Sequence, residues 1–273
     1  MHRKSLVLNE ALDRKEGMAA DYGNLGLIYL TRGDLDQAEV MHRKSLAIEE
    51  ALGRNEGMAT QYGNLGLIYR TRGDLDQAEA MHRKSLTIGE ALGCKEGMAN
   101  QYGNLGLIYQ MRGDLDQAEA MYRKSLAIEE ALGQKEGMAS DLGNLGNIYE
   151  TRGDLDQAEA MFRKSLALDE ELGRKEGVAT TYGNLGNIYE KRGDLDQAEA
   201  MHRKSLVLNE VLGRKEGMAI NYGNLGLLYE QKGDLTQACA HWGKARDFFA
   251  QMGAIPMIEL LESWLRKANC PDT

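Results

Sequence analysis

Apolar residues recur along this chain with a helical period. Met18, Tyr22, Leu25 and Tyr29 follow one another at spacings of four, three and four, which places them on one face of a helix. Gly33-Asp34 breaks the pattern. Asp34 is placed to cap a second helix, with Gln37 three residues on as its return partner. The second helix carries Leu35, Ala38, Met41, Ser45, Ile48 and Leu52 along one stripe, and Gly53 stands where a left-handed C-terminal cap is expected. The pattern therefore predicts a helical hairpin.

The hairpin is copied. Gly-Asn-Leu-Gly begins at 23, 63, 103, 143, 183 and 223, a spacing of 40 each time. Six units follow, at 17–56, 57–96, 97–136, 137–176, 177–216 and 217–253, after a half-repeat and linker at 1–16. That half-repeat is a second helix without a first, so its apolar flank is open and offers an edge for self-association. We expect it to be cut from a longer array. Residues 254–273 form a terminal segment in which Ile258, Leu261, Trp264 and Leu265 share one side and Pro256 can start a helix. It reads as a cap over the last hairpin, followed by a frayed Pro-Asp-Thr end. A lone hairpin cannot bury both of its faces, whereas stacked copies share a continuous core. One all-α array over 1–273 is expected. Gly23 and Gly26 inside the first helix each cost about 1 kcal/mol relative to Ala. Close approach of a neighbouring helix beside Gly26 is the expected compensation.

These residues resemble the tetratricopeptide repeat, whose succession of an aromatic, Leu-Gly, Tyr, Ala and a later aromatic is matched by Tyr22, Leu25-Gly26, Tyr29, Ala38 and the sites equivalent to 42. The unit lacks the closing Pro of the shorter repeat and adds residues at the end of the second helix. In this it is similar to kinesin light chain, Pins-type adaptors and many bacterial signalling proteins. The resemblance implies a right-handed superhelical α-solenoid of six hairpins, with a protein or peptide bound in a concave groove lined mainly by the first helices.

Composition narrows the chemistry. A formal charge of −9 argues against a nucleic-acid phosphate partner, which wants a basic stripe. The N-terminus has no apolar run long enough for a signal peptide or membrane span. Cys94, Cys239 and Cys270 are odd in number and far apart, which suggests neither a disulfide framework nor a zinc site and points to a reducing, cytoplasmic setting. The late-motif site holds His42, His82, Tyr122, Phe162, His202 and Trp242 in turn. None of these histidines has a second ligand at helical spacing, so packing rather than metal binding is expected. Cys239 and His241 are two apart on a helix and do not face each other. No cofactor, metal or catalytic constellation is expected.

Candidate binding residues lie on a second stripe of the first helix: Ala20, Gly23, Asn24, Leu27 and Thr31 in the first unit. Its copies predict a ladder of Asn24, Asn64, Asn104, Asn144, Asn184 and Asn224. An amide both donates and accepts, so such a ladder can grip a peptide backbone whatever its sequence. It can equally tie neighbouring repeats together. At the sites equivalent to 27, Asn147 and Asn187 replace Leu, and the resemblance to Pins-type adaptors implies that such Asn residues contact ligand. Specificity should lie where the copies differ. The sites equivalent to 20 are Ala20, Thr60, Asn100, Ser140, Thr180 and Ile220, and those equivalent to 30 are Leu30, Arg70, Gln110, Glu150, Glu190 and Glu230. The three acids favour a basic ligand segment at that end, or else are merely solvated. The paired-cation clamp for a C-terminal carboxylate is not evident. A protein-interaction scaffold is the expected function; a peptide-sensing module of a larger signalling protein, or an array with no selected ligand, are the alternatives.

Overall fold

The computed structural model describes residues 2–270, apart from the side chain of residue 3, and among them only helices are regular elements. Two compact units are present, 1–134 and 135–273. The first holds α1 (His2–Ala11), α2 (Lys15–Thr31), α3 (Leu35–Ala51), α4 (Asn55–Thr71), α5 (Leu75–Leu92), α6 (Lys95–Met111) and α7 (Leu115–Leu132). The second holds α8 (Lys135–Arg152), α9 (Leu155–Glu171), α10 (Lys175–Lys191), α11 (Leu195–Leu212), α12 (Lys215–Gln231), α13 (Leu235–Met252) and α14 (Ile255–Lys267). Within each unit, consecutive helices pair as hairpins, and each hairpin packs on the next.

The punctuation follows from the predicted residues. Gly33 and Gly53 adopt φ of +76° and +66°, a region open to glycine without a Cβ clash. The Asp34 carboxylate accepts a hydrogen bond from the Gln37 backbone N–H at 3.1 Å, satisfying a donor that the first turn leaves free. The same cap recurs at Asp74, Asp114, Asp154, Asp194 and Asp234. The Pro-Asp-Thr end predicted to fray lies outside the described residues.

Gly26 is explained by its hairpin partner. A β-carbon there would lie 2.6 Å from the His42 ring, so the glycine lets α2 settle directly on a fully buried imidazole of α3. His82, Tyr122, Phe162, His202 and Trp242 fill the same slot under Gly66, Gly106, Gly146, Gly186 and Gly226. Ser45 within the α3 stripe donates to the Ala19 carbonyl at 2.8 Å and so ties the two helices of the hairpin. Leu52, expected at the end of that stripe, is instead half out in solvent at 36 % exposure. His42 and Glu49 are buried in α3 beside Ala38, Ser45 and Leu46, because the next hairpin covers a second face of the helix.

A charged clasp closes the junctions. Glu39 of α3 accepts from the Tyr69 hydroxyl at 2.6 Å and from Arg43 at 2.8 Å, and is also bonded by Arg72 at the end of α4. Glu79, Glu159 and Glu199 are held in the same way by Tyr109, Tyr189 and Tyr229.

One expectation is corrected. Cys239 and Cys270 form a disulfide that fastens the end of α14 to α13, leaving Cys94 as the free thiol among the described residues. Spacing along the sequence gave no hint, because the pairing is made only when α14 folds back. As expected of a cap, α14 buries Leu261 and packs Ile258, Trp264 and Leu265 against Trp242 and Phe249.

Candidate functional site

Among the described residues, cavities lie along the candidate stripe of the first helices. In the first unit, Asn64 and Asn104 line one of about 600 Å³ together with Thr60, Leu67 and Asn100. In the second unit, Asn144, Asn147 and Asn184 line one of about 340 Å³, and Asn184, Asn187 and Asn224 line another of about 700 Å³. Asn24 is exposed on α2. The variable positions predicted to carry specificity share these walls: Ser140 and Thr180 in the smaller cavity of the second unit, Thr180 and Ile220 in the larger.

The amides are not equivalent. Asn104 accepts from Arg70 at 2.9 Å and donates to the Asn100 carbonyl at 2.9 Å, so one donor and one acceptor site of its amide are used within the chain. Asn224 donates weakly to Asn187 at 3.4 Å. The side chains of Asn144 and Asn184 bond to no described residue, although both are half-buried on cavity walls. Gly143 lines the smaller cavity beside Asn144, and Gly183 the larger beside Asn184. The neighbouring glycines leave room for another main chain to approach.

The acids at the sites equivalent to 30 are mostly engaged. Glu150 pairs with Lys191 at 2.7 Å, and Glu190 accepts from Gln231. Burial pushes the Glu190 carboxyl up, against the pull of Gln231 and Lys191. Glu230 is exposed.

Beside these cavities lies a polar layer. Positions 9, 49, 169 and 209 sit under the glycine that opens the next first helix: a β-carbon at Gly57 would meet the Glu49 carboxylate at 2.3 Å, and one at Gly217 would meet Asn209 at 2.5 Å. Arg54 reaches Glu49 at 3.4 Å, and Arg174 reaches Asp169 at 3.6 Å and Glu136 at 3.5 Å. Burial pushes the Asp169 carboxyl up; Arg174 opposes that and Glu136 adds to it. The signal for this layer was present in the sequence as copy-to-copy variation. Asn9, Glu49, Gly89, Glu129, Asp169 and Asn209 differ, as do Arg14, Arg54, Cys94, Gln134, Arg174 and Arg214.

The signature of the tetratricopeptide repeat matches residues 17–91, 97–171 and 177–251. The chain belongs to the tetratricopeptide repeat family. None of the curated proteins compared matches it. Among solved structures, BtubC (BKLC) from P. vanneervenii is similar at 24 % identity and a TM-score of 0.71, over 80 % of this chain and 92 % of that one. The quorum sensor NprR from B. thuringiensis, in its apo form, is similar at 16 % identity and a TM-score of 0.74, over 92 % and 71 %. The nearly identical repeats of a Podosopora anserina protein named for the kinesin light chain match at 17 % identity and a TM-score of 0.58, over 71 % and 96 %. At these identities the likeness is one of fold: the tetratricopeptide repeat hairpin. Among the described residues, no helix of this tetratricopeptide repeat chain is long and apolar enough to cross a membrane.

Proposed function

We propose that this chain is a protein-interaction module, without catalysis of its own, that binds an extended segment of a partner along the first-helix faces of its hairpins. The observation that carries the reading is the pair of half-buried, unpartnered amides at Asn144 and Asn184, each beside a glycine on a cavity wall. A half-buried amide without a partner gains from a ligand that bonds it, and a peptide main chain presents both the donor and the acceptor it needs. Asn104 serves instead to hold the repeat together, through Arg70 and Asn100. A module that passes ligand binding to an attached effector is the second reading. It is favoured by the likeness in fold to NprR, a quorum sensor.

The test is affinity capture from a soluble pool of random short peptides, with captured peptides identified by mass spectrometry and resynthesised. We expect binders whose affinity falls at least tenfold when Asn144 and Asn184 are both changed to Ala, with the melting temperature unchanged, since one bond to a ligand is worth about 1 kcal/mol and two groups are removed. No captured peptide, or equal binding by the double variant, would refute this reading.

A further inference from the structure

Arg214 ends the linker into α12 and lines both cavities of the second unit. It is half-buried, and its side chain makes no hydrogen bond or ion pair with any described residue. Two of its three arginine counterparts are neutralised: Arg54 by Glu49, and Arg174 by Asp169 and Glu136. The difference is one residue of the polar layer. Where those junctions hold a carboxylate, this one holds Asn209, which donates to Asn221 at 2.8 Å and carries no charge. Asn9 leaves Arg14 unneutralised in the same manner, but Arg14 is exposed, where solvent screens it.

Asn209 brings no charge to this wall, and its side-chain oxygen is an acceptor, which asks for a donor and takes no part in holding a carboxylate. The residue is 4 % exposed, it lines the larger cavity, and its Oδ1 has no hydrogen-bond partner. The cavity's other charged residues are Lys215 and Glu216, and Lys215 is turned toward Gln251 at 3.0 Å. Arg214 is thus an unneutralised cation on the wall of a 700 Å³ cavity, in a chain of formal charge −9. The start of α12 adds the positive end of a helix dipole at the same place. In the first unit the matching cavity has Cys94 where Arg214 stands and Gly89 where Asn209 stands, and Glu56 is its charged lining residue.

We infer that Arg214 is a carboxylate-reading subsite, which makes the groove of the second unit selective for peptide segments carrying an acidic group between the fifth and sixth hairpins. The inference rests on the groove-binding reading above and gives that site its ligand chemistry. A guanidinium offers two parallel N–H donors to a carboxylate, and a partly desolvated one gains more from the pairing than a surface lysine does. The carboxylate can belong to an Asp or Glu side chain or to a peptide C-terminus.

The peptide capture distinguishes these outcomes when the pool is made once with free and once with amidated C-termini. The expected result is an excess of Asp and Glu in peptides from the amidated pool, with binding weakened about tenfold or more by Arg214→Gln. Asn209→Asp should have the same effect while leaving the arginine in place, because it supplies the internal carboxylate found at Asp169. An acidic requirement satisfied only by the free-carboxyl pool would assign the subsite to C-termini. Captured peptides that depend on Asn144 and Asn184 but show no acidic excess, or acidic peptides held equally by Arg214→Gln, would overturn the subsite and leave groove binding standing. No captured peptide would overturn both. The melting curve of Arg214→Gln should match the parent, since Arg214 makes no contact that stabilises the fold; Asn209→Asp gives up the bond to Asn221 and is compared only below its own melting temperature.

Discussion

The sulfur of Cys239 is bonded to that of Cys270, 31 residues further on, where Glu199 one hairpin earlier accepts a hydrogen bond from Tyr229, 30 residues further on. A covalent clasp thus occupies the place of the ionic one where α13 meets α14. With a loop of that length, the chain-entropy treatment gives about 3–4 kcal/mol of stabilisation for the oxidised form. Reductant should lower the melting temperature and expose Trp264, read by its fluorescence. A melting curve insensitive to reductant would mean that packing of Leu261 and Trp264 alone holds α14 in place.

The clasp carboxylates make stability depend on pH. Burial pushes Glu39, Glu79, Glu159 and Glu199 up. Hydrogen bonds from a tyrosine, an arginine on the same helix, and Arg72, Arg112, Arg192 or Lys232 outweigh it and hold each at about 2, below the ordinary 4.5. Because the folded value is the lower one, their contribution is complete above 4.5 and is lost as pH falls toward 2. Thermal melts should therefore decline through that window. Glu79→Gln should cost about 1–3 kcal/mol at neutral pH and flatten the acid slope; an unchanged slope would show that other groups set it.

Two glycines of the same type of helix should respond oppositely to alanine. A β-carbon at Gly66 would lie 2.5 Å from the His82 ring, whereas one at Gly223 would meet nothing within 4 Å. Gly223→Ala should stabilise by about 1 kcal/mol through helix propensity. Gly66→Ala should destabilise by about 1–3 kcal/mol through overpacking, and a second change of His82 to Ala should recover part of the loss. Denaturant titration of the variants checks both signs.

His202 is fully buried, and neither ring nitrogen has a hydrogen-bond partner. His42 and His82, by contrast, pair with Gln61 and Gln101 at 2.8 Å. Position 221, the counterpart of Gln61, is Asn, which bonds Asn209 instead. Burial holds the His202 imidazole down to about 4, so folding becomes less favourable as pH falls from 6.5 to that value, because the unfolded chain takes up the proton first. Phe162 fills the equivalent slot one hairpin earlier without any polar atom. His202→Phe should raise stability by about 1–3 kcal/mol and remove that part of the acid sensitivity. Urea titrations at neutral and mildly acidic pH would detect either failure.

The sequence by itself determined the hairpin, its caps and its multiplication, because each depends on residues within a turn or two of one another. The spacing of Met18, Tyr22, Leu25 and Tyr29, the Asp34 cap and the turn glycines gave the helices closely. The packing role of His42 was also legible, since a helical glycine such as Gly26 needs a neighbour to fill the space beside it. Leu52 ran against expectation because a one-helix stripe cannot say which faces the next hairpin covers. The tertiary structure alone decided which Asn amides are bonded and which are open, that Glu150 is neutralised by Lys191, that Cys239 meets Cys270, and that Arg214 lacks the carboxylate that Arg54 and Arg174 have. Most of these depend on residues brought together from different helices. Near-identical copies carry the same local instructions, so only the contacts between them distinguish one repeat's chemistry from the next.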